Sequence, residues 1–188
     1  MTTSSEPEPF PASMAWLLDN PLMRMHANRL ARRLPIERGM RVADVGCGPG
    51  RLTIPVARLV GDEGEVLAVD LQDRMLAIVE RRAARAHLGN VRTLQAAAGD
   101  GAVPAGRYDV ALLVTVLGEI PSERRGAAMA EIAAALRPGG RLVVIDAIFD
   151  PHRQSREAVL LLGGPAGFDL ERQDRGLGTS VIQLRKAA

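Results

Sequence analysis

The stretch Arg41-Val-Ala-Asp-Val-Gly-Cys-Gly-Pro-Gly50 decides the fold, because it joins a short β-type run directly to a glycine loop. The residues that follow carry apolar side chains at helical spacing as far as Gly61. Proline has no N–H to donate and fits only in the first turn of a helix, so Pro55 predicts a helix start near Gly50 or Arg51. The order is strand, glycine loop, helix.

The same alternation continues along the chain. A helical pattern follows Asp70. A second pattern runs from Arg124 to Leu136, just before Pro138, and a third begins near Ser155. Repeated strand–helix units produce right-handed crossovers and a parallel sheet covered on both faces. We therefore expect an α/β, Rossmann-like, doubly wound, mostly parallel sheet of seven strands with an antiparallel C-terminal strand. The further predicted strands are Gly64 to Asp70, Val91 to Ala97, Tyr108 to Val116, Arg141 to Asp146, Phe168 to Asp174 and Ser180 to Arg185.

Length and composition suit one domain of 188 residues. Residues 1–11 are polar, acidic and proline-rich, which predicts a disordered lead-in. Residues 12–38 predict an N-terminal helical lid segment, and residues 39–188 the ligand-binding domain. Neither a secretory signal nor an apolar run near the roughly 20 residues that span a bilayer is present, so we expect a cytoplasmic protein.

Residue usage excludes several kinds of chemistry. Lys186 is the only lysine, which argues against a Schiff base or a phosphate-binding P-loop. Cys47 is the only cysteine, which rules out an intrachain disulfide and a cysteine-rich zinc site. The histidines, His26, His87 and His152, are too scattered to predict a metal site, and we expect none.

The sequence around the glycine loop limits the classes of ligand that it can bind. The dinucleotide fingerprint needs a small residue at position 51, where this chain has Arg51, so a pyrophosphate cradle is disfavoured. Asp44 precedes the first glycine, and a carboxylate there opposes a phosphate but favours an ammonium group. The expected ligand is cationic in part.

Asp70 ends the second strand and is placed to accept hydrogen bonds from both hydroxyls of a ribose. Its alternative role is an N-cap of the next helix. Leu71 and Met75 then pack either on an adenine face or in the core.

Four stretches together resemble the class I S-adenosylmethionine-dependent methyltransferases, and among these the ubiquinone/menaquinone group of small-molecule enzymes. They stand in the order and at the spacing of that family, and they cover most of residues 39–146. The stretches are Val42-Ala-Asp-Val-Gly-Cys-Gly-Pro-Gly50, Val66-Leu-Ala-Val-Asp-Leu71, Tyr108-Asp-Val-Ala-Leu-Leu-Val-Thr-Val-Leu117 and Leu136-Arg-Pro-Gly-Gly-Arg-Leu-Val-Val-Ile-Asp146.

The resemblance implies S-adenosylmethionine as cofactor and S-adenosylhomocysteine as product. It implies that Asp44 and the backbone of residues 46–50 hold the methionine part and that Asp70 holds the ribose. The full set of implied cofactor contacts is Asp44, Gly46, Cys47, Gly48, Gly50, Asp70, Leu71, Met75, Ala97, Ala98, Asp100 and Thr115.

The chain departs from the family pattern at two positions. Many relatives place an Asp on the adenine amino group after the third strand, where this chain has Ala97, with Asp100 three residues later. Either Asp100 serves after a shift of the loop, or adenine is held by packing and backbone. Gly118 stands where relatives often carry His, which puts a general-base role at that position in doubt.

Methyl transfer from a sulfonium is an in-line displacement that needs alignment and exclusion of water more than a strong base. If the acceptor must lose a proton, Glu119 and His26 are the candidate catalytic residues. The alternatives are a helix-start or surface role for Glu119 and a helix-face role for His26. The expected acceptor is a small or medium organic molecule with an O, N or C nucleophile.

Two other functions stay open. Arginines from Arg24 to Arg41 form a basic cluster that suits an RNA or nucleotide methyltransferase, although five aromatic residues leave little for base stacking. The second open function is that of a protein that binds S-adenosylmethionine without methyl transfer. The sequence leaves the oligomeric state open.

Overall fold

The computed structural model describes residues 21–176 and 178–187, so the predicted lead-in and residues 12–20 lie outside the described residues. A seven-stranded sheet has the order β3-β2-β1-β4-β5-β7-β6. Only β7 runs against the others, between β5 and β6, which confirms the predicted sheet. The strands are β1 (Arg41–Val45), β2 (Glu65–Asp70), β3 (Val91–Gln95), β4 (Tyr108–Val114), β5 (Leu136–Ala147), β6 (Phe168–Gly176) and β7 (Thr179–Lys186).

Helices cover both faces of this sheet, as predicted. Val42 and Val66 face a core shared with α1 and α2, whereas Ala43 and Val45 face the core beneath α4 and α5. Because successive strand residues point to opposite faces and both faces are covered, most residues of the central strands are apolar, and Asp44 and Asp109 are the buried exceptions in β1 and β4. The helices are α1 (Pro21–Ala31), α2 (Thr53–Val60), α3 (Asp73–Arg85), α4 (Arg125–Ala135) and α5 (Arg156–Gly163).

The order of the strands creates a crevice at one place. β1 lies between β2 and β4, and the chain leaves β1 towards α2 on one face and β4 towards α4 on the other. In open parallel sheets, ligands bind at the carboxyl edge at such a reversal of strand order. The glycine loop, Asp70 and Glu119 all follow strands at this edge.

Several boundaries differ from the sequence prediction, most of all the starts of α2 and β5. Helix α2 begins at Thr53 instead of near Gly50, because the glycine loop continues as turns as far as residue 52. Pro55 still lies in its first turn. Strand β5 begins at Leu136, since this residue already pairs with Tyr108 of β4, and α4 therefore ends one residue earlier than predicted.

Helix α1 represents the described part of the N-terminal segment. Its buried residues Ala27, Leu30 and Ala31 pack towards α2. None of the helices within residues 21–176 and 178–187 has the length and apolar character needed to cross a membrane.

Asn90, just before β3, provides a test of the fold away from the crevice. Its side-chain amide donates to the carbonyl oxygens of Ala57 and Gly61 at 2.8 Å each, and so holds the C-terminal end of α2. Asn90→Ala should lower the free energy of unfolding by about 2 kcal/mol, since each such hydrogen bond contributes about 1 kcal/mol. Thermal unfolding checks this, with exposed Asn28→Ala as the control; an unchanged midpoint for Asn90→Ala would contradict it.

Candidate functional site

A cavity of about 580 Å³ lies at the carboxyl edge of the sheet, where the loops after β1, β2, β3 and β4 meet. Three of the predicted site residues, Gly50, Asp100 and His26, are not part of its wall. The cavity brings the others together, namely Asp44, Gly46, Cys47, Gly48, Asp70, Leu71, Met75, Ala97, Ala98, Thr115 and Glu119.

The glycine loop bends sharply between β1 and α2. Gly46, Gly48 and Gly50 have φ values of 71°, 51° and 78°, in the left-handed region that favours glycine. A Cβ on Gly46 would overlap the side chain of Val116, so only glycine lets the loops after β1 and β4 approach this closely. Gly48 lines the cavity with no atom within 4 Å of the place where a Cβ would be, which leaves room for a ligand against the backbone.

The carboxylate of Asp70 connects two of these loops. Its Oδ2 accepts the backbone N–H of Gly48 at 2.8 Å, and its Oδ1 accepts the N–H of Gln72 at 2.9 Å. The N-cap of α3 is Gln72, so Asp70 does not take the N-cap role that was its alternative. A carboxylate offers about four lone-pair sites, so each oxygen of Asp70 can still accept a ligand hydroxyl.

Asp44 lies fully buried at the end of β1, on the cavity wall. Burial raises its pKa from 3.8 to about 6. The hydroxyl of Thr53, which donates to Oδ2 at 2.5 Å, acts against burial, and the charge of Asp70 adds a smaller increase. A cationic ligand group beside Asp44 would favour its ionised form, whereas an anionic group would be repelled.

Cys47 is a packing residue. Its side chain packs with Ala68, Leu76 and Val79 beneath α3. Burial, followed by the charges of Asp44 and Asp70, raises the pKa of its thiol, which keeps it protonated and unreactive.

The two apolar residues predicted to meet adenine differ in exposure. Met75 is buried and also reaches the cavity wall, so its two alternative roles are compatible. Leu71 is 56% exposed at the rim of the cavity and is therefore not a core residue.

The loop after β3 places Ala97 and Ala98 on the cavity wall and turns Asp100 away from it. Asp100 accepts the N–H of Ala97 at 3.2 Å and forms an ion pair with Arg124. The sequence prediction missed Glu131, a buried acid of α4 that accepts the N–H groups of Gly99 at 2.5 Å and Val103 at 2.9 Å. The sequence signal that could have identified Glu131 is its position as an acid within an alanine-rich helix.

The loops after β4 and β5 meet over the opposite wall. Thr115, which turns the chain after β4, has a φ of 57°, which is strained for a β-branched residue, and its N–H donates to the carbonyl of Ile145 at 2.7 Å. Glu119 is half-buried on the wall. Burial raises the pKa of its carboxyl group, Asp150 raises it further, and His152 acts against both.

Gly118 has a steric role in this contact. A Cβ at position 118 would overlap the carbonyl oxygen of His152, so a histidine side chain would not fit here. Arg125 donates to the carbonyl oxygens of Gly118 at 3.0 Å and Ile120 at 2.8 Å, and to the side chain of Gln154 at 3.3 Å. The loop brings Asp150 to the cavity, a residue that sequence reasoning missed because no local pattern marks it.

The remaining candidates lie apart from this cavity. His26 is half-buried on α1. Of the arginines in the predicted basic cluster, Arg24, Arg29 and Arg32 line one cavity beside α1, whereas Arg33 lies beside Gly176 and Arg38 beside Gly61, so only part of the cluster forms a continuous patch. The described residues contain no group of three or more His, Cys, Asp or Glu side chains that could hold a metal ion.

Comparison with known families agrees with this geometry. The profile of a family described as a methyltransferase domain matches residues 42–140, just over half of the chain. The matched range runs from β1 into β5 and contains the glycine loop, Asp70 and Glu119. The chain belongs to this methyltransferase-domain family.

Curated relatives of this methyltransferase domain are similar over part of their length. The chain is 37% identical over 135 residues to the ubiquinone/menaquinone biosynthesis C-methyltransferase UbiE of Azotobacter vinelandii, covering 69% of this chain and 53% of the relative. It is 30% identical over 166 residues to the UbiE protein of Cronobacter sakazakii, covering 84% and 65%. The chain thus spans about half to two thirds of the length of these relatives.

Solved structures share the fold. A SAM-dependent methyltransferase from Aquifex aeolicus superimposes with a TM-score of 0.82 at 23% identity, over 94% of this chain and 98% of that one. The 1,6-didemethyltoxoflavin-N1-methyltransferase of Burkholderia thailandensis gives 0.70 at 24%, over 93% and 81%. The [4+2]-cyclase SpnF gives 0.72 at 19%, over 88% and 81%.

Asp44→Asn separates the electrostatic role of Asp44 from its packing. The pKa of Asp44 is raised on folding, so its ionised carboxylate destabilises the native state at neutral pH by about 2 to 3 kcal/mol. We expect Asp44→Asn to be more stable than the wild type at neutral pH, with a difference that shrinks as the pH falls from about 6 towards 3.8.

Thermal unfolding between acidic and neutral pH measures this difference, with exposed Asp62→Asn as the control. The claim that the ionised Asp44 destabilises the native state would be refuted if the stability difference did not depend on pH. It would also be refuted if Asp44→Asn were less stable than the wild type.

Proposed function

We propose that this chain transfers a methyl group from S-adenosylmethionine to a small or medium organic acceptor. The observation that carries the proposal is the cavity at the carboxyl edge, where the glycine loop, Asp44 and Asp70 line one wall and Glu119 another. Membership of the methyltransferase-domain family supports it.

The chemistry of the cavity wall fits this cofactor. Asp44 is a buried carboxylate with no cationic side chain among its hydrogen-bond partners in the described part of the chain, which suits an ammonium group. Asp70 keeps acceptor capacity for ribose hydroxyls. The alanine residues of the loop after β3 leave a flat apolar surface for a purine, and we propose that adenine is held there by packing and backbone, with Asp100 committed to Arg124.

When bound, the cofactor supplies a methyl group on a positively charged sulfur. The role of the protein is to align an acceptor with that methyl group and to exclude water. The loop that includes Asp150 closes one side of the cavity against Gly118, and α1 contributes Ala27 and Leu30 from the other side. We propose that Glu119 accepts a proton from the acceptor, because a carboxyl group with a raised pKa is a better base near neutral pH.

The finer assignment concerns the atom that is methylated. The UbiE relatives are C-methyltransferases by name, and we extend carbon methylation to this chain as part of the proposal. A carbon nucleophile becomes reactive when a neighbouring acidic group loses its proton, which is the step that Glu119 would assist. We also place the protein in the cytoplasm, because a chain with a single cysteine suits a reducing compartment.

Cofactor binding alone does not establish the reaction, since the similar fold of SpnF belongs to a cyclase. The test is therefore transfer of a deuterated methyl group from S-adenosylmethionine to a panel of hydroquinones, phenols and amines, followed by mass spectrometry. The proposal expects a labelled acceptor and an equal amount of S-adenosylhomocysteine. Binding of S-adenosylhomocysteine without label in any acceptor would instead favour a cofactor-binding protein without methyl transfer.

Glu119→Gln tests the proposed base. The pKa of Glu119 is raised, so the ionised form that accepts a proton is lost as the pH falls through a value above the ordinary one for Glu. The rate of methyl transfer should therefore decline on the acidic side for the wild type. Glu119→Gln should lower kcat by at least about tenfold and abolish that decline.

The matched control is Glu123→Gln, an exposed acid on the short turn Ser122–Arg124. It should keep the rate and pH profile of the wild type. A Glu119→Gln protein with more than a tenth of the wild-type kcat and an unchanged pH profile would remove Glu119 from the catalytic residues.

A further inference from the structure

A second cavity, of about 260 Å³, lies between α1, α2 and α3, on the far side of the glycine loop from the first. Five arginine side chains line it, and no Asp or Glu is found on its wall among the described residues. The arginines come from four separate segments, so no single motif in the sequence marks the site. They are Arg24, Arg51, Arg58, Arg82 and Arg85.

Two of these arginines are partly buried and differ in their hydrogen bonds. Arg82 is held in place, because its Nη1 donates to the carbonyl oxygen of Pro49 at 2.7 Å. Arg51 has a buried Nε with no hydrogen-bond partner in the part of the chain that the structure describes. Burial, followed by the positive charge of Arg82, lowers the pKa of the Arg51 guanidinium, and no carboxylate among the described residues pairs with it.

We propose that this cavity binds a phosphorylated ligand through its di- or triphosphate group. Guanidinium groups match phosphate oxygens with paired charged hydrogen bonds, and no acid among the described residues of the cavity wall competes for them. The volume suits a short phosphate chain better than a complete drug-sized ligand.

RNA fits the site less well. Among the described residues, the wall of the second cavity includes no aromatic side chain on which a base could stack. Arg29 and Arg32 share a neighbouring cavity with Arg24, but Arg33 and Arg38 lie elsewhere on the surface, so the basic track for a nucleic-acid backbone is short.

The phosphate group could reach the cavity in either of two ways. Arg51 and Ala27 line both cavities, so the group belongs either to a free phosphate compound or to a larger ligand that extends into the first cavity. Inorganic diphosphate and ADP distinguish these sources when each is titrated with and without S-adenosylhomocysteine. If each compound binds equally well with and without S-adenosylhomocysteine, the site takes a free anion. If ADP binds more tightly than diphosphate and S-adenosylhomocysteine abolishes its binding, the ligand spans both cavities.

The direct test is calorimetric titration of the full chain with diphosphate and tripolyphosphate, at an ionic strength matched with sodium chloride. The test variant is Arg58→Gln with Arg85→Gln, since both side chains are exposed and neither is needed to hold the glycine loop. Its Kd should be at least about tenfold weaker, because loss of one charged hydrogen bond alone has roughly this effect. Arg156→Gln, at the start of α5 on the other face of the sheet, is the matched control and should bind as the wild type does.

Two further readouts keep the test decisive. Without an anion, the double variant should be at least as stable to heat as the wild type, because it has fewer positive charges that repel one another. It should also bind S-adenosylhomocysteine as well as the wild type does. The proposal is overturned if diphosphate and tripolyphosphate do not bind, if the double variant binds them unchanged, or if a single-stranded RNA binds at these arginines when the phosphates do not. None of these results depends on methyl transfer.

Discussion

The carboxylate of Asp70 is the contact on which the site depends. It accepts one backbone N–H from the glycine loop and one from the start of the α3 segment, and so fixes the tips of β1 and β2 relative to each other. This contact adds to the N–H groups of Gly46 and Cys47, which donate to the carbonyl of Val69 and also tie the glycine loop to β2. A ligand hydroxyl that approaches Asp70 therefore meets an acceptor whose position is already set, which lowers the cost of ordering on binding.

Charge is distributed unevenly around the glycine loop. The first cavity carries four acids, Asp44, Asp70, Glu119 and Asp150, whereas the second has five arginines. Arg51 lies between the two cavities. Such a separation favours a ligand with positive charge on one side of the loop and a ligand with negative charge on the other. The raised pKa of Asp44 and the lowered pKa of Arg51 have the same origin, since each is a charged group withdrawn from water.

Local patterns in the sequence predicted most of the fold and one wall of the site. The spacing of Asp44, the glycines and Asp70 determines their positions, because the ends of adjacent parallel strands meet at one edge of the sheet. Helix α2 began later than expected because the number of turn residues in the loop depends on contacts with β2, such as the N–H groups of Gly46 and Cys47 on the carbonyl of Val69.

Contacts between distant segments were beyond the reach of sequence reasoning. Asp150 reaches the cavity only because a long loop packs on Gly118, and the same packing explains why glycine replaces histidine there. The arginine cavity joins residues that are far apart in the chain, whereas only three members of the cluster that the sequence suggested, Arg24, Arg29 and Arg32, line one space. Asp100 was a reasonable adenine contact by position, yet its partner Arg124 is set by the tertiary fold.

Calorimetric titration with S-adenosylhomocysteine and with NAD tests the central claim most directly, on the wild type, on Asp70→Asn and on the control Asp73→Asn at the start of α3. The account predicts that S-adenosylhomocysteine binds, that NAD does not, and that only Asp70→Asn weakens binding, by at least about tenfold. Binding of NAD alone, or undiminished binding of S-adenosylhomocysteine to a folded Asp70→Asn protein, would contradict it.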